Sequence, residues 1–480
     1  MFTVDFDKRG SLSLCEYLYR SVKEQILQGN LKANEKLPSK RNLAEHLGIS
    51  VITVQNAYAQ LISEGYIYSL EKKGFFVMDL LLDKDAKNVE KPVVKKMLRA
   101  EEPEPVSWFM DFSSNAISYE KFPFTLWSHL MRSVLNSSDR MLLSRQGVKG
   151  VLELREAIAS YLKDFRNMDV SSSQIVIGAG TEHLYSMIVQ LLGRDNTYIV
   201  ENPGFHKVQK VFESNGVRSI PVLIDEQGFN PQKISALCGD ARGTVVHISP
   251  AHHFPTGIVM PVRRRQELLA WVQEKPGRYI IEDEYDSEFR FNGKPIPTLQ
   301  SADLSQNVIY INTFSKTLSP SFRINYMVLP QKLLDSFQEK LGFYSCPVSA
   351  FEQYTLAQFI GEGYFAKHII KMKNYYRTLR NNLIQAIKKS SLGEVCGIQE
   401  EEAGLHFLLT LSNSLDCEIF KKNLEAEGIK MPLLSDFYYS DIPENAKTTF
   451  VMNYSGVQNA MISEIVRKME NAKQKSLKCR

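Results

Sequence analysis

Apolar residues recur at helical spacing at Leu14, Tyr17, Leu18, Val22 and Ile26, and Gly29-Asn30 then stops the pattern, which predicts a first helix. Leu43, Ala44 and Leu47 share one face of a second helical stretch that Ser39 can cap and Gly48 can turn. Ser50 can cap a third, whose core stripe is Val54, Ala57, Tyr58, Leu61 and Ile62 before Gly65 ends it. Two short helices joined by a tight turn predict a helix-turn-helix. Tyr66 to Val77, interrupted by Glu71-Lys-Lys-Gly74, reads as the two strands of a wing. Further on, Val151 to Leu162 is amphipathic, and helical stretches then alternate with short apolar runs at Gln174–Ile177, Tyr198–Val200, Thr244–Ile248, Tyr279–Ile281 and Val308–Ile311. Runs of this kind between helices predict an α/β domain on a mostly parallel sheet, with ligands at the carboxyl ends of its strands.

From Asp79 to about Val106 the chain is dense in charge, carries Pro92, Pro103 and Pro105, and holds no sustained period, as a linker would. The predicted organisation is a winged helix-turn-helix over residues 1–79, a linker over 80–106 and an α/β domain over 107–480. A chain of 480 residues, 44% of them hydrophobic, can bury more than one core. Net charge is only +4 with 23% charged residues, so the molecule is no polybasic nucleic-acid binder, and any DNA contact belongs to a local surface. Six cysteines without a CxxC pair fit reduced thiols. With no signal-peptide pattern and no run of about 18 apolar residues, a cytoplasmic protein that avoids membranes is expected.

Within the helix-turn-helix, Thr53, Gln55 and Asn56 stand where amide and hydroxyl side chains can read base edges in the major groove. Ser39, Lys40 and Arg41 at a helix N-terminus, with Lys72 and Lys73 in the wing, are suited to phosphates of a double-stranded DNA operator.

The chemistry concentrates in two motifs, Ile280-Ile-Glu-Asp-Glu-Tyr285 and Thr313-Phe-Ser-Lys-Thr-Leu-Ser-Pro-Ser-Phe-Arg323. A lysine, a phosphate-binding arginine with hydroxyls, and an upstream acid with a tyrosine are the parts that hold pyridoxal phosphate (PLP) as a Schiff base. Lys316 would form that link, Asp283 would pair with the pyridine nitrogen, and Tyr285 would hydrogen-bond the ring's phenolic oxygen. Gly180 and Thr181, where a strand meets a helix, would form one half of the phosphate cup, with Thr313, Ser315 and Arg323 as the other. Phe205 either stacks on the ring or is core. His252-His253 invites a metal reading, but no metal is expected.

Leu37 to Tyr66 closely resembles the winged helix of the GntR family, although that family usually carries arginine where Val51 stands here. The large domain resembles class I aminotransferases through Gly178–Glu182, Ser249–Gly257, Ile280–Phe289 and Thr313–Arg323. Together they resemble the MocR/GabR subfamily of GntR regulators. The resemblance implies a PLP-dependent transferase fold behind a winged helix, and a head-to-tail homodimer with swapped winged helices. It also implies PLP on Lys316 and an effector that alters DNA binding. Departures from the class I pattern bear on the effector. Phe254 replaces an asparagine near the ring oxygen, and Thr449 to Val457 lacks the arginine that clamps a substrate carboxylate. Ser144 to Gly147 lacks the tyrosine that reaches the neighbouring subunit's phosphate. Lys207 is either a point-charge clamp for an effector carboxylate or a solvated lysine, with His206 beside it. The expected function is a PLP-dependent transcription regulator sensing an amino compound, or PLP itself, with transaminase turnover at most residual. An active aminotransferase with an accessory DNA-binding domain is the alternative. A DNA-binding protein that has lost the cofactor is disfavoured by the intact Asp283, Lys316 and Arg323.

Overall fold

Serine caps open both helices of the helix-turn-helix. Ser39 Oγ accepts from the Asn42 amide at 3.2 Å and Ser50 Oγ from the Thr53 amide at 3.1 Å, each satisfying a donor that the first helical turn leaves free. Between the two helices Gly48 sits at φ 65°, a left-handed turn that costs a residue without Cβ nothing. The computed structural model describes residues 4–80 and 107–478, except 115, 119–120, 138–139, 236–242, 294–295, 401 and 403. Apart from Leu80, the expected linker lies outside the described residues. The chain divides into two compact units, Met1–Val106 and Ser107–Arg480.

The smaller unit holds α1 (Leu14–Leu27), β1 (Lys36–Leu37), α2 (Lys40–Leu47), α3 (Val51–Ser63), β2 (Ile67–Leu70) and β3 (Gly74–Val77). β3 lies between β1 and β2, antiparallel to both, and Lys72 turns the wing at φ 59°. Leu18, Val22, Leu43, Val54, Ala57, Tyr58 and Leu61 are fully buried in its core, where each large side chain contributes about 1.5–3 kcal/mol. Ile62, expected in that core, is 38% exposed. It lies on the flank of α3, about 100° from the middle of the buried stripe.

In the larger unit β4 (Met110–Asp111) precedes a seven-stranded sheet. Its members are β5 (Ile175–Ala179), β6 (Thr197–Asn202), β7 (Arg218–Leu223), β8 (Thr244–Ile248), β9 (Arg278–Glu284), β10 (Val308–Thr313) and β11 (Ile324–Val328), in the order β5-β11-β10-β9-β8-β6-β7. β11 runs antiparallel to β10 and β5, so β5 runs with the parallel strands. All strands but β11 therefore send their carboxyl ends to one edge. The five apolar runs are β5, β6, β8, β9 and β10. β7 escaped the pattern because it is an edge strand with Pro221 in it, where a missing amide is tolerated. β11 escaped because its apolar run, wholly buried, follows Arg323 directly with no turn signal. A second sheet of β12 (Cys396–Gln399), β13 (His406–Leu411) and β15 (Thr449–Asn453), with β14 (Ile429–Lys430) paired to β4, builds a separate core around Phe407, Phe420, Phe450 and Tyr454. Among the described residues no helix is long and apolar enough to cross a membrane.

Candidate cofactor site and DNA-contacting face

The strand ends converge on a cleft of about 280 Å³. Lys316, three residues past β10, lines it at 6% exposure. Burial pushes its amine down to about 8, against the pull of Asp286, which leaves a nucleophilic neutral fraction near neutral pH. Asp283 comes from β9. Its Oδ2 accepts from the Tyr185 hydroxyl at 2.5 Å and lies 3.3 Å from His247 Nε2. Its Oδ1 is buried without a hydrogen-bond partner, as is the Tyr285 hydroxyl. Buried polar atoms left unpaired are costly, and both residues line the cleft that a ligand would fill.

At the other end Gly180, at φ 96°, carries the chain from β5 into the helix Thr181–Leu192. A Cβ there would run into the Arg323 guanidinium and the Glu182 carboxylate, so only glycine lets the backbone close in. Thr313 Oγ1 donates to Ser315 Oγ at 2.9 Å. Arg323 Nη2 donates to Glu182 Oε2 at 2.9 Å, and the Lys207 ammonium pairs with the same carboxylate. Partial burial opposes ionisation of Glu182. The Lys207 hydrogen bond, its own backbone N–H and the charges of Lys207 and Arg323 nevertheless hold it down at about 2.

These residues fit PLP. A helix N-terminus with a guanidinium and two hydroxyls suits a phosphate, an unpaired carboxylate oxygen suits a protonated ring nitrogen, and an unpaired tyrosine hydroxyl suits a ring oxygen. Thr181 begins the helix and lines the cleft. Phe205 is 45% exposed at the cleft, edge-on to Phe254 at 6.2 Å between centroids, and so is not core. Lys207 reaches the cleft but is claimed by Glu182. His206 packs its ring on Tyr439 at 4.3 Å and does not line the cleft. His252 Nδ1 lies 2.9 Å from Asp286 Oδ1, and His253 Nδ1 2.7 Å from Thr256 Oγ1. Among the described residues no group of three or more His, Cys, Asp or Glu could hold a metal ion.

Sequence reasoning missed Tyr185, His247 and Glu182. For His247 a signal existed: it is an ionisable residue within β8, which is fully buried and whose other residues are Thr244, Val245, Val246 and Ile248.

In the smaller unit Ser39, Arg41, Gln55, Asn56, Lys72 and Lys73 are exposed, while Lys40 and Thr53 are half-buried. Ser39 spends its hydroxyl on the α2 cap, Thr53 Oγ1 lies 2.8 Å from Ser50 Oγ, and Lys40 sits 5.4 Å above the Phe75 ring. Another omission was Ile52, 71% exposed one turn before Asn56 on the outward face of α3.

Fold and cleft together define a class I and II aminotransferase domain behind a bacterial regulatory winged helix. The family model "Aminotransferase class I and II" matches residues 108–468, and "Bacterial regulatory proteins, gntR family" matches 14–77. The HTH-type transcriptional regulator YdeL of Bacillus subtilis is 35% identical over 96% of this chain and 97% of its own. The probable rhizopine catabolism regulatory protein MocR of Rhizobium meliloti is 29% identical, covering 97% and 95%. In fold, the multiple substrate aminotransferase of Thermococcus profundus superposes with a TM-score of 0.66 at 24% identity, over 78% of this chain and 93% of that one. The chain belongs to the MocR-type family of gntR transcriptional regulators, a DNA-binding winged helix fused to an aminotransferase-fold domain whose cofactor is pyridoxal 5'-phosphate.

Proposed function

We propose that this regulator reports the state of a PLP molecule held on Lys316 by changing its affinity for a double-stranded DNA operator. In this reading residues 1–79 bind the operator, 80–106 link, and 107–480 hold cofactor and effector, as a cytoplasmic head-to-tail homodimer with exchanged winged helices. When bound, the cofactor supplies an aldehyde that condenses reversibly with amines. The chain's residues do the rest. Tyr185 and His247 fix Asp283 with one oxygen free for the ring nitrogen. Gly180, Thr181, Thr313, Ser315 and Arg323 seat the phosphate, Tyr285 takes the ring oxygen, and Phe205 borders the ring. Asn56, Gln55 and Thr53 read bases, and Lys40, Arg41, Lys72 and Lys73 hold phosphates. One arginine, Arg323, is among the described residues lining the cleft, and it lies at the phosphate end. Among the described lining residues no further guanidinium is left to clamp a substrate carboxylate, and positioning supplies much of a transaminase's rate, so turnover is at most residual.

The observation that carries this reading is the unpaired Asp283 Oδ1 in the same cleft as the buried Lys316. The test is a visible spectrum of the purified full-length protein with PLP, beside Lys316→Ala. A band that needs Lys316 is expected. Equal spectra for the two proteins would remove the assignment.

A further inference from the structure

Away from the phosphate seat the cleft wall is made of Phe112, Phe254, Leu405, Pro432, Phe437 and Val451. Phe254 is the hub of this wall. Its ring meets Phe437 at 5.1 Å, His406 at 5.4 Å, Phe205 at 6.2 Å and Tyr285 at 6.5 Å between centroids. Two polar groups among these surfaces, Asn453 and His406, are already engaged. Asn453 Nδ2 donates to the Ser114 carbonyl at 3.1 Å, and its Oδ1 accepts from the Ser455 amide and hydroxyl at 3.1 and 2.7 Å. His406 Nε2 lies 3.2 Å from the Pro255 carbonyl, and burial pushes its imidazole down to about 4, so it carries no charge at neutral pH.

Charge in the cleft offers a carboxylate no free partner either. Its described lining holds four acids, Glu182, Glu201, Asp283 and Asp286, of which Glu201 is pushed up to about 8 by burial and is uncharged at neutral pH, beside three bases, Lys207, Lys316 and Arg323. Each base has a use: Lys207 and Arg323 converge on Glu182, and Lys316 is the cofactor amine. An incoming carboxylate would leave water for aromatic carbon beside fixed acids, which is unfavourable without a partner. An incoming amine with an apolar tail brings no such charge once its nitrogen is held by the cofactor, and its tail would meet the rings.

We infer that the effector is a primary amine with an uncharged, apolar tail and no carboxylate, lying with its amino end toward Lys316 and its tail against Phe112, Phe254 and Phe437. This rests on the reading of Lys316 as the cofactor amine, and deepens it by excluding α-amino acids as the preferred ligand. Lys207 is then no effector clamp but the standing partner of Glu182.

The test uses the full-length protein loaded with PLP and matched pairs that differ by one carboxylate: 2-phenylethylamine against phenylalanine, and 3-methylbutylamine against leucine. Two readouts are followed, the shift of the Lys316-dependent visible band and the midpoint of DNA binding. The amines are expected to act at concentrations about tenfold or more below those of their amino acids. In Asn453→Arg, which places a guanidinium on the cleft wall, the gap is expected to narrow. Wild-type protein decides the matter alone if that variant does not fold. Equal or better response to the amino acids would overturn the inference, as would a band that no amine disturbs. Either result leaves the cofactor reading standing, whereas a missing Lys316-dependent band in wild type would remove that reading itself.

Discussion

At Glu182 two cations converge on one carboxylate in the place where a phosphate would sit, so the phosphate has to compete for Arg323 with a charge of its own sign. Glu182→Gln is therefore expected to tighten PLP binding severalfold, because it removes like-charge repulsion while keeping the backbone amide. Fluorescence titration with PLP checks this, and pyridoxal, which has no phosphate, should show no such gain. Weaker PLP binding in the variant would contradict the competition. Lys316 gives a pH prediction. Burial lowers its folded value to about 8 from an ordinary lysine value of 10.5, so the neutral amine is favoured in the fold. The cost of charging it is fully present below about 8 and is relieved as pH rises from there toward 10.5. PLP capture, followed by stopped-flow absorbance, should accelerate up to about pH 8 and then level. Continued tenfold rises per unit above pH 8.5 would show an unshifted amine. Lys316, Asp283 and Arg323 were legible in the sequence because each lies in a contiguous motif after an apolar run. Tyr185 and His247 were not, since their contact with Asp283 joins residues 98 and 36 positions apart.

The helices of the winged unit could be bounded to within a residue or two because their stop and start signals are local: Ser39 and Ser50 cap, and Gly48 turns. Ser50→Ala is expected to lower the unfolding free energy of that unit by about 1 kcal/mol. Chemical denaturation followed by circular dichroism measures this, and no change would mean that the α3 cap contributes nothing. Strands were legible where burial on both faces made them continuously apolar, as in β8 and β10. They were illegible where tertiary position overrode local signal. β7 is a half-exposed edge strand, and in the separate sheet β13 pairs with the distant β15, His406 opposite Asn453. Ile62 shows the same limit on a helix, because periodicity finds the stripe but does not fix its width.

The whole molecule is weakly charged, with a net charge of +4, so its proposed DNA contacts belong to a local surface of the winged unit. Lys40→Ala with Arg41→Ala should cost DNA affinity and reduce the slope of log affinity against log salt by about 2, leaving the PLP spectrum unchanged. A loss of the PLP band in that double variant would mean that the substitutions had damaged the fold. The winged helix was readable from sequence because its caps and apolar stripes lie in one contiguous stretch, and the cofactor cleft because it rests on several separated motifs. The effector's chemistry was not, since the apolar wall is assembled from Phe112, Phe254, Leu405 and Phe437, far apart in the chain. The most direct test of the central claim is fluorescence anisotropy of DNA from upstream of the protein's own gene, titrated with wild type and Lys316→Ala, each with and without PLP. PLP is expected to change the wild-type midpoint severalfold and to leave that of Lys316→Ala where it was. The same midpoint in all four titrations would contradict it.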